Sequence, residues 1–381
     1  MNLNDFDLQN IQRIGLDKIR LSNLAIMGEI DFDTLKQDGN TVEIYTTADT
    51  KRRYRRYTPD TNTGITKIII KDNQLFSDLI IGCTRDSNGL PIEYLYLTIT
   101  VTNVKGCNLE NMSHEEYSDY IESTINYIKH QYGIVLLYDC IKLDYAEINA
   151  NVLLSEKYPK YGRVLKLLMS LFDNHLGKLS SYEKLKTKEG AQSESYKRGN
   201  KSKEIIFYDK AQELHDTGNA LDDCEDISIL RIELRLKDKK KIKSSLGSCL
   251  WGEINDTVII ECFYREIYHQ LSKRFEEWER KRNTELKKLI VNCKKKSKKT
   301  WHHLLMQEIR NTSESMMMPY VLDVEQVCTA YRELPDPNGN VNRSIKAILN
   351  IPIEHDIYKD NNIDKCFEIL NALESYIIMV L

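Results

Sequence analysis

Four segments of the chain alternate apolar and polar positions with a period of two. From Tyr94 to Thr102, Leu95, Leu97, Ile99 and Val101 share one face, and Tyr96, Thr98, Thr100 and Thr102 share the other. From Tyr145 to Val152, Ala146, Ile148, Ala150 and Val152 oppose Glu147, Asn149 and Asn151. Ile205 and Phe207 oppose Glu204, Ile206 and Tyr208, and Ile232, Leu234 and Leu236 oppose Arg231, Glu233 and Arg235. Side chains of a strand point alternately to its two sides, so one apolar face per segment predicts half-buried strands of a largely antiparallel sheet. The first sixty or so residues are mixed and weakly periodic.

Between the first two strands a helix is predicted. Ser113-His114-Glu115-Glu116 is a capping box, Tyr117, Ile121, Ile125 and Ile128 follow at three- and four-residue spacing, and Gly133 stops it. Tyr158 to Phe172 repeats the helical pattern. Residues 186–203 are polar and read as a mobile loop leading into the next strand. Asp256 to Asn292 reads as one long helix whose surface grows basic through Arg280-Lys281-Arg282, and Lys294-Lys295-Lys296-Ser297-Lys298-Lys299 makes a boundary. These elements predict an α+β fold: a largely antiparallel sheet with helices on one face, followed by a mostly helical C-terminal region. The expected division is a basic segment at 1–60, either separate or part of the sheet domain, a sheet domain at 61–255, the basic helix at 256–299 and a helical domain at 300–381. The closing Ile377-Ile378-Met379-Val380-Leu381 reads as packed core.

The polar face of the predicted sheet carries the candidate chemistry. It gathers Tyr208, Glu147, Glu233, Arg231 and Arg235. A tyrosine beside carboxylates can attack a phosphodiester, with the acids holding a divalent metal. Hard cations take oxygen ligands, so Mg²⁺ or Mn²⁺ suits Glu147 and Glu233. Ionising a free phenol at pH 7 costs about 4 kcal/mol, and a bound cation offsets part of that. Asp144 and Glu147 face opposite sides of a regular strand; alternation favours Glu147, and a bulge would bring in Asp144. Lys210 would share the tyrosine's face on a continuing strand and reach a phosphate. Arg52, Arg53, Arg55 and Arg56, interleaved with Tyr54 and Tyr57, offer phosphate contacts and stacking for unpaired bases. Lys237, Lys239, Lys240 and Lys241 follow the glutamate strand closely and are candidate DNA contacts with Arg231 and Arg235. Each of these also has a plain structural reading: a packed strand tyrosine, a cross-strand ion pair, a solvated basic surface.

Composition narrows the setting. Among 381 residues, 54 Lys and Arg stand against 57 Asp and Glu, a net charge of −3. Any nucleic-acid contact must therefore rest on where positive charge is concentrated. Nine cysteines with no CxxC pair disfavour a zinc site or a disulfide framework and fit a reducing cytoplasm. The N-terminus lacks the pattern of a signal peptide, and no apolar run is long enough to span a membrane.

Tyr208-Asp209-Lys210-Ala211-Gln212-Glu213, preceded by apolar strand residues, resembles the nucleophile segment of rolling-circle replication initiators, the plasmid and phage Rep proteins. Arg231-Ile232-Glu233-Leu234-Arg235 is similar to the Arg-x-Glu strand that follows it there. Glu147-Ile148-Asn149 with Tyr161 to Leu168 looks like versions of the fold carried by mobile elements. The resemblance covers roughly residues 90–290. It implies nicking and rejoining of one strand of origin DNA, single-stranded or hairpin, by Tyr208, with Glu233 and either Glu147 or Asp144 on the metal. It also implies a host helicase partner and leaves a homodimer open. Three positions depart from the family: no His-x-His pair exists, Thr100 stands where a carboxylate is expected, and Ile206 stands where an arginine is typical. Those departures motivate a second reading, a Rep-like binder without catalysis that regulates replication or inhibits a host nucleic-acid defence.

Overall fold

The alternating segments pair as expected from their faces. In the computed structural model, β8 (Lys142–Leu153), β12 (Ile229–Leu236) and β11 (Lys203–Asp209) lie side by side, all antiparallel. They belong to a ten-stranded sheet in the order β3-β4-β5-β6-β1-β8-β12-β11-β10-β9. The remaining strands are β1 (Gly15–Ser22), β3 (Val42–Thr46), β4 (Ile65–Ile70), β5 (Asp78–Arg85), β6 (Pro91–Thr102), β9 (Ser180–Glu183) and β10 (Glu194–Gly199). A separate pair joins β2 (Ala25–Met27) to β7 (Val135–Leu137). The structure describes residues 8–28, 30, 42–46, 65–71, 75–85, 91–102, 108–138, 140–172, 176, 180–183, 194–218, 228–305, 307–308, 324–334, 341–349 and 362–378.

The fold is α+β, with the helices gathered on the apolar side of the sheet and a helical C-terminal region. Ile19, Leu21, Ile99, Ile148, Leu234 and Phe207 share one core with helix residues such as Ile121, Leu165, Phe263 and Leu271. That common core explains the choice of side: apolar strand positions remove far more surface from water by meeting amphipathic helices than by facing solvent. The capping box of the His114–Tyr132 helix is present as read, with Ser113 and Glu116 bonded reciprocally. Gly133 ends it in the left-handed region at φ 67°, which side chains with a Cβ rarely adopt.

Three elements differ from the sequence expectation. Within the stretch read as a loop at 186–203, Glu194–Gly199 forms β10, pairing with β9 and β11. The weakly periodic N-terminal region supplies β1, which sits in the middle of the sheet between β6 and β8. The long helix runs past Asn292 to Lys296 and contains a π-helical turn at Tyr264–Tyr268. Its far half builds a second core of Leu286, Ile290 and Cys293 with Trp301, Tyr331 and Ile348. The last helix, Asn362–Ile378, packs instead on the main core through Ile369 and Leu373. Ile377 there is buried, whereas Ile378 is 69% exposed and 379–381 lie outside the described residues. Among the described residues, no helix is long and apolar enough to cross a membrane.

The opposite face of the sheet is only partly covered. Residues 8–11 and 108–112 cross it, and the Asn151 amide donates to the carbonyls of Ile11 (3.3 Å) and Leu109 (2.9 Å). Gly15 permits this crossing: a Cβ there would lie 2.6 Å from the Met112 carbonyl oxygen.

Candidate active site

Register decides which polar side chains meet. On β12, Arg231, Glu233 and Arg235 stand opposite Asn151, Asn149 and Glu147 of β8. On the other flank Arg231 stands opposite Tyr208, and Glu233 opposite Ile206. The Tyr208 hydroxyl therefore reaches diagonally and donates to Glu233 Oε2 at 3.3 Å. Glu147 lies across from Arg235, whose Nε is 3.2 Å from Glu147 Oε1 and also donates to Glu233. Tyr145, two residues before Glu147, donates its hydroxyl to the Glu147 carboxylate.

A third acid joins from β1. The β1–β8 register shifts between Leu16 and Lys18, leaving Asp17 as an extra residue in a bulge. Carboxylate oxygens of Asp17, Glu147 and Glu233 all lie within 4.8 Å of one another, and all three residues are buried. Opposite ligands of a six-coordinate Mg²⁺ stand about 4.2 Å apart, so the three acids could hold such a cation after a small closure. Two further observations fit such a site. Asp17 Oδ1 and both amide atoms of buried Asn149 have no hydrogen-bond partner among the described residues. Buried polar atoms are seldom left so, because desolvation without a partner costs about 1–3 kcal/mol.

The electrostatics match the crowding. Burial pushes the Glu147 carboxyl up to about 8; the Glu233 charge adds to this and Arg235 opposes it. Glu233 is raised as well, by burial first, against the pull of Arg235. Burial holds the Tyr208 phenol well above its ordinary value; Arg231 opposes this, while Glu233 and Asp17 add to it. Glu147 therefore keeps its proton at neutral pH in the protein alone, which limits the negative charge that Arg231 and Arg235 face, and the phenol is protonated as well.

The other sequence candidates are distributed as follows. Asp144 sits at the second β1–β8 register shift, accepts from Ser22 Oγ at 3.0 Å, and pairs with Lys239 at 3.0 Å rather than with the acid cluster. Arg231, expected to contact DNA, has no exposed surface. Its guanidinium donates to Asn151 (2.8 Å), Asp17 (3.3 Å) and the Asn108 carbonyl (2.6 Å), so it works inward, tying β12 to β1 and to the covering segment. Lys210 is not on a continuing strand. Asp209 caps a helix at Lys210–Asp216, and the buried Lys210 ammonium meets Glu213 at 2.5 Å. Burial lowers Lys210 to about 8, with Arg231 adding to the effect.

Arg235 stays 30% exposed at the mouth of the cluster. Lys237 pairs with Glu204 at 3.0 Å and Lys241 with Glu266 at 2.9 Å, while Lys240 is exposed. Lys239–Leu246 is a helix capped by Asp238, which turns those lysines off the strand. Thr100 donates to Asp78 at 3.0 Å and stays outside the cluster. Arg52, Arg53, Arg55 and Arg56 lie outside the described residues.

Asp17 is the acid that sequence reasoning missed. Its signal is a single break in alternation, Leu16-Asp17-Lys18-Ile19, where two polar residues separate two apolar ones. Lys18 and Arg20 follow it on the polar side, both half-buried, and extend a basic rim beyond Glu147 and Tyr145.

No family model matches the chain, and no curated protein matches it. Among solved structures, a rolling circle replication initiator protein from Geobacillus stearothermophilus is similar at 10% identity and a TM-score of 0.28, over 59% of this chain and 74% of that one. The di-domain ARO/CYC StfQ from the steffimycin biosynthetic pathway is similar at 10% identity and a TM-score of 0.14, over 66% of this chain and 94% of that one. Both scores are too low to carry an argument, which is left to the residues themselves.

Proposed function

We propose that this chain nicks and rejoins DNA in the manner of a rolling-circle replication initiator, with Tyr208 as nucleophile and Asp17, Glu147 and Glu233 as ligands of Mg²⁺ or Mn²⁺. The observation that carries this reading is the convergence of three buried carboxylates within 4.8 Å, with the Tyr208 hydroxyl 3.3 Å from one of them. When bound, the cation would neutralise the acids and polarise a scissile phosphate. Tyr208 Oη then forms a bond to phosphorus as the 3′-oxygen leaves, giving a 5′-phosphotyrosine and a free 3′-hydroxyl. Glu233 already accepts the phenol's hydrogen bond and is placed to receive its proton. Arg235, Lys18 and Arg20 line the rim where the flanking phosphates would lie. A strand passing here would be held by backbone contacts, with a host helicase left to open the duplex behind it.

A second reading has its own observation. The Arg235 guanidinium lies against both Glu147 and Glu233, so part of the acid charge is answered without a metal. On that reading the chain binds nucleic acid or protein without cutting. One experiment separates the two. A supercoiled plasmid carrying the DNA that flanks this coding sequence is incubated with the protein and Mg²⁺ or Mn²⁺, and covalent protein–DNA adducts are counted after denaturation. Wild type should form adducts and relax the plasmid, and Tyr208→Phe should do neither while still binding DNA. Adducts that persist in Tyr208→Phe would remove the nucleophile assignment; DNA binding without adducts in wild type would leave the binder.

A further inference from the structure

Positive charge is also concentrated on an element that contributes nothing to the acid cluster, in a chain whose net charge is −3. Residues 280–299 hold ten lysines and arginines against Glu285 alone. Several of these have structural work. Lys287 pairs with Glu333 at 2.5 Å, Lys296 with Glu308 at 3.0 Å, and Lys294 lies over the ring of Tyr331 at 4.8 Å. Arg282 is buried over Trp278 at 4.9 Å. Those contacts lock the far half of the long helix onto the second core and leave a different set facing outward.

That outward set is regular. Lys281, Lys288 and Lys295 are all exposed, and no carboxylate of the described residues forms an ion pair with them. They recur every seven residues, so each returns to within about 20° of the last on the helix surface. At ~1.5 Å per residue the three form a straight row about 21 Å long. Lys298 and Lys299 extend the exposed positive charge past the helix end. We propose that this lysine row is a docking surface for the phosphate backbone of duplex DNA, separate from the acid cluster.

The choice of duplex DNA over an acidic protein follows from what the row lacks and how it is spaced. Protein interfaces need buried aromatic or aliphatic anchors. The exposed large apolar side chain on this half of the helix, among the described residues, is Val291. A rigid row of point charges at even intervals, held by a helix with its own core, matches a regular polyanion instead. The inference rests on the DNA-nicking reading only for this choice of partner, since binding here needs neither Tyr208 nor a metal.

The test uses the full chain and a short fluorescent duplex of arbitrary sequence, titrated over a range of salt. In the variant Lys281→Gln/Lys288→Gln/Lys295→Gln the slope of log K against log salt should flatten by roughly 2.7, three phosphates at about 0.9 each. Duplex affinity should fall about tenfold or more, with the thermal midpoint unchanged because the three side chains are exposed. The titration is run in EDTA, where no metal-dependent nicking occurs, which keeps this result distinct from failure of the nicking assay. Unchanged affinity and slope in the triple variant would overturn the proposal. So would loss of binding to poly-glutamate with duplex binding retained, which would assign the row to an acidic protein.

Discussion

Glu147, buried, and Glu266, partly buried, both lie beside basic side chains, and they end in opposite states. Glu266, in the π-helical turn, sits between Lys203 at 2.5 Å and Lys241 at 2.9 Å, with Ser245 donating at 3.2 Å. Burial works to raise it, but the two lysines outweigh this and hold it at about 2. Glu147 shares Arg235 with Glu233, faces Asp17 as well, and is raised to about 8. One acid with two cations is a completed structural joint. Three acids share two arginines, and Asp17 Oδ1 and the Asn149 amide beside them have no partner among the described residues. The difference teaches that burial alone does not decide the state of a carboxylate; the ratio of neighbouring cations to neighbouring acids does.

The comparison breaks most visibly in activity. Glu147→Gln and Glu233→Gln should each lower the metal-dependent nicking rate by about a thousandfold, equivalent to roughly 4 kcal/mol. Glu266→Gln should leave the rate per folded molecule intact. Initial rates of plasmid relaxation under saturating Mn²⁺ measure both, and equal losses in all three variants would erase the distinction. Stability should respond the other way. Glu266→Gln strands Lys203 in the interior and should cost about 3 kcal/mol in denaturant unfolding, whereas Glu147→Gln relieves repulsion and should be neutral or stabilising without metal.

The pH dependence differs in sign between the sites. Glu266 has a folded value below the ordinary one, so its contribution is complete above about 4.5 and is lost as pH falls toward about 2. Glu147 has a folded value above the ordinary one, so its penalty is absent at low pH and grows as pH rises from about 4.5 to about 8. Without metal, the stability advantage of Glu147→Gln over wild type should therefore widen across that window, by at most ~1.4 kcal/mol per pH unit. A constant difference across pH 5–8, followed by urea unfolding, would contradict the raised Glu147.

Much of this geometry was legible in the alternation. Once Ile148 and Leu234 are placed in the core, Glu147 and Glu233 must share the other face, and a period of two carries Tyr208 there with them. Three features were not legible because they depend on how that regularity ends or breaks. Lys210 looked like a strand position, yet Asp209 caps a helix there. Arg231 looked like a surface cation, yet a covering segment about a hundred residues away in sequence seals it. Asp17 lay in a stretch without clean alternation, and the irregularity that hid it is the bulge that delivers it.

That bulge has a consequence for how this strand tolerates change. Leu16 and Ile19 both point into the core although two residues separate them. Excising Asp17 would restore an unbroken Leu-Lys-Ile rhythm opposite β8. The scaffold nevertheless uses the seventeenth residue: its carbonyl accepts from the buried Tyr117 hydroxyl at 2.8 Å and its carboxylate meets the buried Arg231 at 3.3 Å, so a shortened protein should be less stable. What the insertion adds to the polar face is a third carboxylate within 4.8 Å of those of Glu147 and Glu233, so here a defect in the weave and the crowding of the face are one feature.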